Sequence, residues 1–167
     1  MSDIKQRFRH GLEVSRAATE KILDEFTNPE DWVRRPAPGT NHAMWIAGHL
    51  AVVDGRLSRF VSREYKCDLS KYLPLFAKST TPLDNLSDYP PIEEVRQLMR
   101  DMRAMFLRAL EECPEERFVE PTPDGVPPFF KNVGHVFQMA AWHEGIHTGQ
   151  LSTIHRILGN RPLTDRG

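Results

Sequence analysis

His143 and His147 stand four residues apart in the stretch 140–158, AAWHEGIHTGQLSTIHRIL. On a helix that spacing puts the two imidazoles one above the other on a single face. The apolar seam of this helix steps by three and four through Val133, Val136, Ala140, Ile154 and Ile157, and the same steps pass through His143, His147 and Gln150 in the middle. Two imidazoles and an amide on a core-facing seam are costly unless they are partnered. A metal ion partners them: it accepts both imidazole nitrogens and leaves the amide to orient a ligand. A pair of core histidines hydrogen-bonded to neighbouring helices satisfies the same positions, and both readings stand on these residues alone.

His143-Glu144-Gly145-Ile146-His147 also spells H-E-x-x-H, the zinc-protease string. A metzincin needs Gly at position 150 and His at 153, where this chain has Gln150 and Thr153, and no Glu follows Glu144 to act as a downstream ligand. No segment reads as the strand that shapes a protease cleft. Peptidase activity is therefore not expected. Glu144 points about 100° away from His143 around the helix, which suits a solvated or interhelical carboxylate. Gln150 and Glu144 are the candidates for catalytic groups at the edge of the site.

A third metal ligand has to come from upstream, and His49 is the best placed. It lies beside Trp45, Ile46 and Val53, on the buried flank of the helix that contains HAMWIAGHLAVVDGRLSRFV. Arg56, seven residues on, shares that face and is a candidate for binding an anionic substrate; an Arg that lays its stem over apolar neighbours is the plainer alternative. His42, seven residues before His49, is roughly 10 Å away along the axis, too far for the same ion. It is read as lining the site mouth, with Arg56 as substrate-binding, or as marking the helix end. His10, His135 and His155 are not placed as ligands.

These residues have to be positioned by helices. Ser2 or Asp3 can cap a first helix running to about Phe26, with a stripe of Ile4, Phe8, Leu12, Ala18, Ile22 and Phe26. Pro29, Pro36 and Pro38 keep the next segment irregular, with Trp32 packing it down, and Thr40 or Asn41 can cap the second helix. The span 64–89 is a long connection, of the kind that serves as a crossover or lid. The third helix has the clearest pattern, Ile92, Val95, Met99, Met102, Phe106, Ala109 and Cys113, between Pro91 and Pro114. Cys113 is thus expected to be a packed thiol and Cys67 a more accessible one. Residues 114–131 carry five prolines and a Pro-Asp-Gly turn, and Asn132 can cap the last helix. Four helical segments, no strand and one long crossover predict an all-α four-helix bundle over 1–167.

Lys plus Arg number 22 against 23 Asp plus Glu, spread along 167 residues. That balance leaves no electrostatic footprint for nucleic acid and no polybasic membrane patch. No apolar run approaches the length that crosses a bilayer. The N-terminus, MSDIKQRFRHGLEV, is charged where a signal peptide would be greasy, and two distant cysteines suit a reduced, cytoplasmic setting.

With GHL on the second helix and HEGIHTGQL on the last, the chain resembles the DinB/YfiT-like metalloenzyme family over nearly its whole length. The H-x-x-x-H-x-G-Q-[LI] string is the more specific part. The resemblance implies an up-down-down-up four-helix bundle. It puts the family's metal triad on His49, His143 and His147 and its common Gly-Gln pair on Gly149 and Gln150. Three neutral imidazoles would hold one divalent ion, zinc, nickel or iron, among which the residues do not choose, and the resemblance implies pairing as a homodimer. Relatives include thiol-dependent S-transferases and a maleylpyruvate isomerase that uses a low-molecular-weight thiol, so a small-molecule substrate and a thiol co-substrate are expected. A metal-dependent hydrolase and a non-catalytic metal- or ligand-binding bundle are the alternatives.

Overall fold

Ser2 accepts a hydrogen bond from the Lys5 backbone N–H and starts α1, Asp3–Leu23, in a computed structural model that describes residues 2–162. The buried face of α1 is Leu12, Arg16, Thr19, Ile22 and Leu23. Ile4 and Ala18, expected on the stripe, are exposed instead, because the face turns to take in the two polar residues. Phe26 lies past the helix end yet is buried, and its carbonyl accepts the Trp32 indole N–H at 3.0 Å, so Trp32 does pin the following loop.

The second helix, α2 (Ala43–Val61), is capped by neither Thr40 nor Asn41 but by His42, whose Nδ1 accepts the Trp45 N–H at 3.1 Å. It is buried on most of its circumference and packs against α4 and α5 together. The connection after it holds one short helix, α3 (Leu73–Phe76), and a 3₁₀ turn at Leu86–Asp88. Phe76 is fully buried against Gly48: a Cβ on Gly48 would come within 2.3 Å of the Phe76 ring. The glycine of the GHL string is what lets α3 lie on α2.

Helix α4 (Ile92–Glu112) follows the predicted seam, with Val95, Met99, Phe106, Ala109 and Cys113 buried. Cys113 is the packed thiol and Cys67 is half-buried. In the proline-rich span, Gly125 takes a positive φ of 83° to close the expected turn, while Phe118 and Phe130 fold back into the core. Asn132 then caps α5 (Val133–Ile157) through the His135 N–H at 2.8 Å. The seam of α5 runs through Val133, Val136, Ala140, Glu144, His147, Leu151 and Ile154. Ile157 is 60 % exposed. A strict three-four alternation advances about 20° per heptad relative to a 3.6-residue helix, and over this length the drift carries Ile157 off the core face.

Helix α1 packs on α5 and α4, and α2 packs on α4 and α5. The apolar core has two parts. One gathers Ile22, Met44, Leu50, Met99, Leu151 and their neighbours; the other gathers Leu12, Leu57, Phe106, Phe137 and theirs. Between them, at the middle of each long helix, lie Arg16, Asp54, Arg103 and Glu144, all buried. The described residues are all-helical, with no strand, and none of their helices is long and apolar enough to cross a membrane.

Candidate metal centre

The contact of α2 with α5 brings His49 against His143 and His147. One ring nitrogen from each falls within 4.8 Å of the other two, and the ring centroids are 5.3, 5.0 and 4.6 Å apart. His49 and His147 are buried and His143 is half-buried. Each buried ring is fixed by its Nδ1. His49 Nδ1–H donates to the Phe76 carbonyl at 2.8 Å, and the ring stacks on Trp45 with centroids 4.5 Å apart. His147 Nδ1–H donates to Gln150 Oε1 at 2.9 Å, and the Asn41 amide donates to that same oxygen. With both Nδ1 atoms engaged, Nε2 is the atom each ring can offer to an ion, and the tautomer needed for ligation is set by the protein.

The protonation state agrees. Burial lowers the His49 pKa to about 4, with lesser help from the positive fields of His147 and Arg56. Burial, then repulsion from His147 and His49, lowers His143 to about 3. His147 is lowered by burial as well, against the hydrogen bond with Gln150. All three are neutral at pH 7. Three neutral, converging imidazoles fit zinc, nickel or ferrous iron equally well, and three protein ligands leave a coordination position open.

The other sequence candidates fare differently. Gln150 is exposed and serves His147, as the outer partner expected of it. Glu144 does not reach the edge of the site. It is 0 % exposed and points into the bundle between α1 and α4, where Arg16 Nε donates to its Oε1 at 2.6 Å and Arg103 Nη2 pairs with its Oε2. Both arginines also bind Asp54 Oδ2, at 3.0 and 2.9 Å. Arg16 and Arg103 give their remaining Nη1 to the carbonyls of Met99 and Leu12. A carboxylate held by two guanidiniums is no general base, so the structure removes Glu144 from the catalytic candidates.

Of the two readings of His42, the helix end is the one found and the site mouth is not. His42 is fully buried, its Nδ1 caps α2 and its Nε2–H donates to the Leu83 carbonyl at 2.9 Å, which leaves no ring nitrogen for a substrate.

Arg56 lines a cavity of about 230 Å³ that opens beside His49 and His143. Its walls include Val53, Leu57, Phe60, Phe130 and Trp142, and Lys78 stands at its edge. The reading of the sequence missed the 127–130 side of this cavity, because prolines mark a loop without saying where it packs. It also missed the buried Arg16–Asp54–Arg103–Glu144 cluster, although a signal was present. Each of the four follows a core residue by one helical turn: Leu12, Leu50, Met99 and Ala140.

A sequence model of the DinB superfamily matches residues 12–151, a span that holds the whole histidine trio and both residues that fix its tautomers. No curated protein and no solved structure matches the chain. On a match over most of its length, this chain belongs to the DinB superfamily.

Proposed function

We propose that this chain is a metal-dependent enzyme of small molecules, holding one divalent ion through His49, His143 and His147 and transferring a small thiol to an electrophile. The observation that carries it is the pairing of three neutral, converging imidazoles, two of them fixed in tautomer, with an open cavity at their side. A purely structural site would be closed over by a fourth ligand or an apolar plug. A divalent ion in such a site supplies Lewis acidity, lowering the pKa of a thiol or water enough to make it a nucleophile at neutral pH. The chain's own part is position. Phe76 and Gln150 hold the two buried rings, and the mostly apolar walls of the cavity give a substrate's body a surface to pack on. The scaffold we infer is a four-helix bundle of up-down-down-up course, supported by the packing of α1 on α5 and of α2 on α4 with a long crossover between α2 and α4.

The test is elemental analysis of protein purified without added metal, then assay of the metallated protein with glutathione, bacillithiol or mycothiol and a chloro-nitroarene. One ion per chain and thiol-dependent turnover, lost in His143→Ala, is the expected result. Ester or amide hydrolysis with no thiol requirement would replace the transferase with a hydrolase. Metal binding without turnover would favour the non-catalytic alternative, and protein that holds no metal would overturn the reading.

A further inference from the structure

The cavity beside the histidines is chemically lopsided. On one side stand Phe60 and Phe130, edge to face at 5.7 Å, with Phe129 against Phe130 at 4.1 Å; on the α5 side stands Trp142. Phe129 and Trp142 are 53 % and 60 % exposed at its rim. Large aromatic surfaces left open around a concavity are surfaces a ligand can cover. Apart from the two histidines, the polar lining is cationic: Arg56 and Lys78, with no carboxylate. Neither cation has an ion pair or side-chain hydrogen bond among the described residues, whereas Arg16, Arg35, Arg96, Arg100 and Arg103 are all paired with carboxylates. A neighbouring depression shares Arg56 and Phe60 and adds Arg59 and Arg63, again with no acidic side chain in its lining. In a chain whose formal charge is −1, the walls of these two neighbouring concavities carry cations and no carboxylate.

We infer that the cavity recognises a small organic anion with an apolar body: a carboxylate held by Arg56 and Lys78, and an aromatic or branched aliphatic body against Phe60, Phe129, Phe130 and Trp142. Guanidinium suits the planar carboxylate, which it can bind through two N–H donors. The volume, about 230 Å³, equals the share of about eight waters at about 30 Å³ each, room for a body of one or two rings. This deepens the proposed function by naming the class of its substrate, and it takes from that reading only that the cavity is where the substrate sits.

The experiment is calorimetric titration of 2-naphthoate and its uncharged counterpart 2-naphthamide into metal-depleted and zinc-loaded protein. Naphthoate is expected to bind at least tenfold more tightly than the amide in both forms. Arg56→Gln and Lys78→Gln, both exposed and without an ion pair or side-chain hydrogen bond among the described residues, each weaken naphthoate several-fold and leave the amide unchanged. Trp142→Ala weakens both ligands. Equal affinity for the two compounds in the wild type, or no binding of either up to millimolar concentration, overturns the inference. So does discrimination that appears only with zinc and survives in Arg56→Gln/Lys78→Gln, since the carboxylate then goes to the ion. The two readings separate in metal-free His147→Ala. Naphthoate preference there sustains the anion site even if the metal reading fails, and zinc binding by the wild type, lost in His147→Ala, without any charge preference sustains the metal reading alone.

Discussion

Two nitrogens on each imidazole divide the work at the residue scale: on His49 and His147 Nδ1 is spent on the protein and Nε2 is kept for an ion. Replacing His147 by Ala should therefore drop the metal content from one ion per chain to near zero by elemental analysis; equal content in the two proteins would remove His147 from the ligand set. Gln150→Ala leaves the ligands in place but frees the His147 ring, and should weaken metal affinity about 10–100-fold in a chelator competition, the usual effect of losing an outer partner. Gly48→Ala is a different test of the same ring. Alanine favours a helix by about 1 kcal/mol over glycine, yet the new methyl would overlap the Phe76 ring. Overpacking of this kind costs about 1–3 kcal/mol, so we expect a lower melting temperature together with weaker metal binding, because the Phe76 carbonyl orients His49. The His143–His147 pair was legible in the sequence because helical spacing alone aligns the two rings. The partner of His49 was not, since a backbone carbonyl from a distant loop has no signature in residue type.

Among the elements, the four long helices are tied together at mid-height by Arg16, Asp54, Arg103 and Glu144, one from each. The charges balance, two positive and two negative, and Ser15 Oγ adds a further contact to Glu144 Oε2 at 3.5 Å. Such a cluster is poor evidence for net stability, but removing one member strands the others in a low dielectric. Glu144→Gln should cost about 3–5 kcal/mol, read from urea or thermal midpoints, by analogy with other broken buried pairs. The same variant addresses the H-E-x-x-H string: wild-type protein should show no metal-dependent cleavage of casein, and cleavage that Glu144→Gln abolishes in folded protein would restore the protease reading. The helices themselves were largely legible. In α4 the apolar period is unbroken and the predicted seam is the buried one. In α1 and α5 the seam includes charged residues, so apolar periodicity led past Arg16 to Ala18, and in α5 a strict three-four alternation took His143 and Gln150 where Glu144 and Leu151 are the buried positions. The buried charges were visible only as a coincidence of phase across four helices, which no single helix reveals.

For the molecule as a whole, the histidine end of the structure sets how stability should depend on pH. His49, His143, His147 and the α2 cap His42 all have pKa values lowered mainly by burial, to about 4 for His49 and about 3 for His143. An unfolded histidine titrates near 6.5. Between about pH 6.5 and 4, then, the unfolded chain binds protons that the metal-free native chain refuses. Stability is full above that window and falls as the pH drops through it, by about 1.4 kcal/mol per pH unit for each proton of difference. Among the charged groups facing these rings, Arg56 beside His49 and Arg35 near His42 disfavour the imidazolium and Asp84 near His42 favours it, while the hydrogen bonds to the Phe76 and Leu83 carbonyls and to Gln150 oppose burial without outweighing it. Metal changes the curve in a predictable direction. An ion that binds only the native, neutral imidazoles adds about 2.7 kcal/mol at a hundredfold excess over its dissociation constant, so the loaded protein should melt higher at pH 7. The gain should shrink toward pH 4 as protons compete for the same nitrogens. Thermal midpoints of metal-free, zinc-loaded and His143→Gln protein from pH 7.5 to 4 provide the check. The metal-free wild type should lose stability below pH 6.5, His143→Gln should lose less over the same range, and zinc should raise the midpoint of the wild type far more than that of the variant. A metal-free curve that is flat from pH 6.5 to 4.5 would mean that these imidazoles accept protons where they sit. The trio would then be a solvated cluster rather than a site held neutral for a metal.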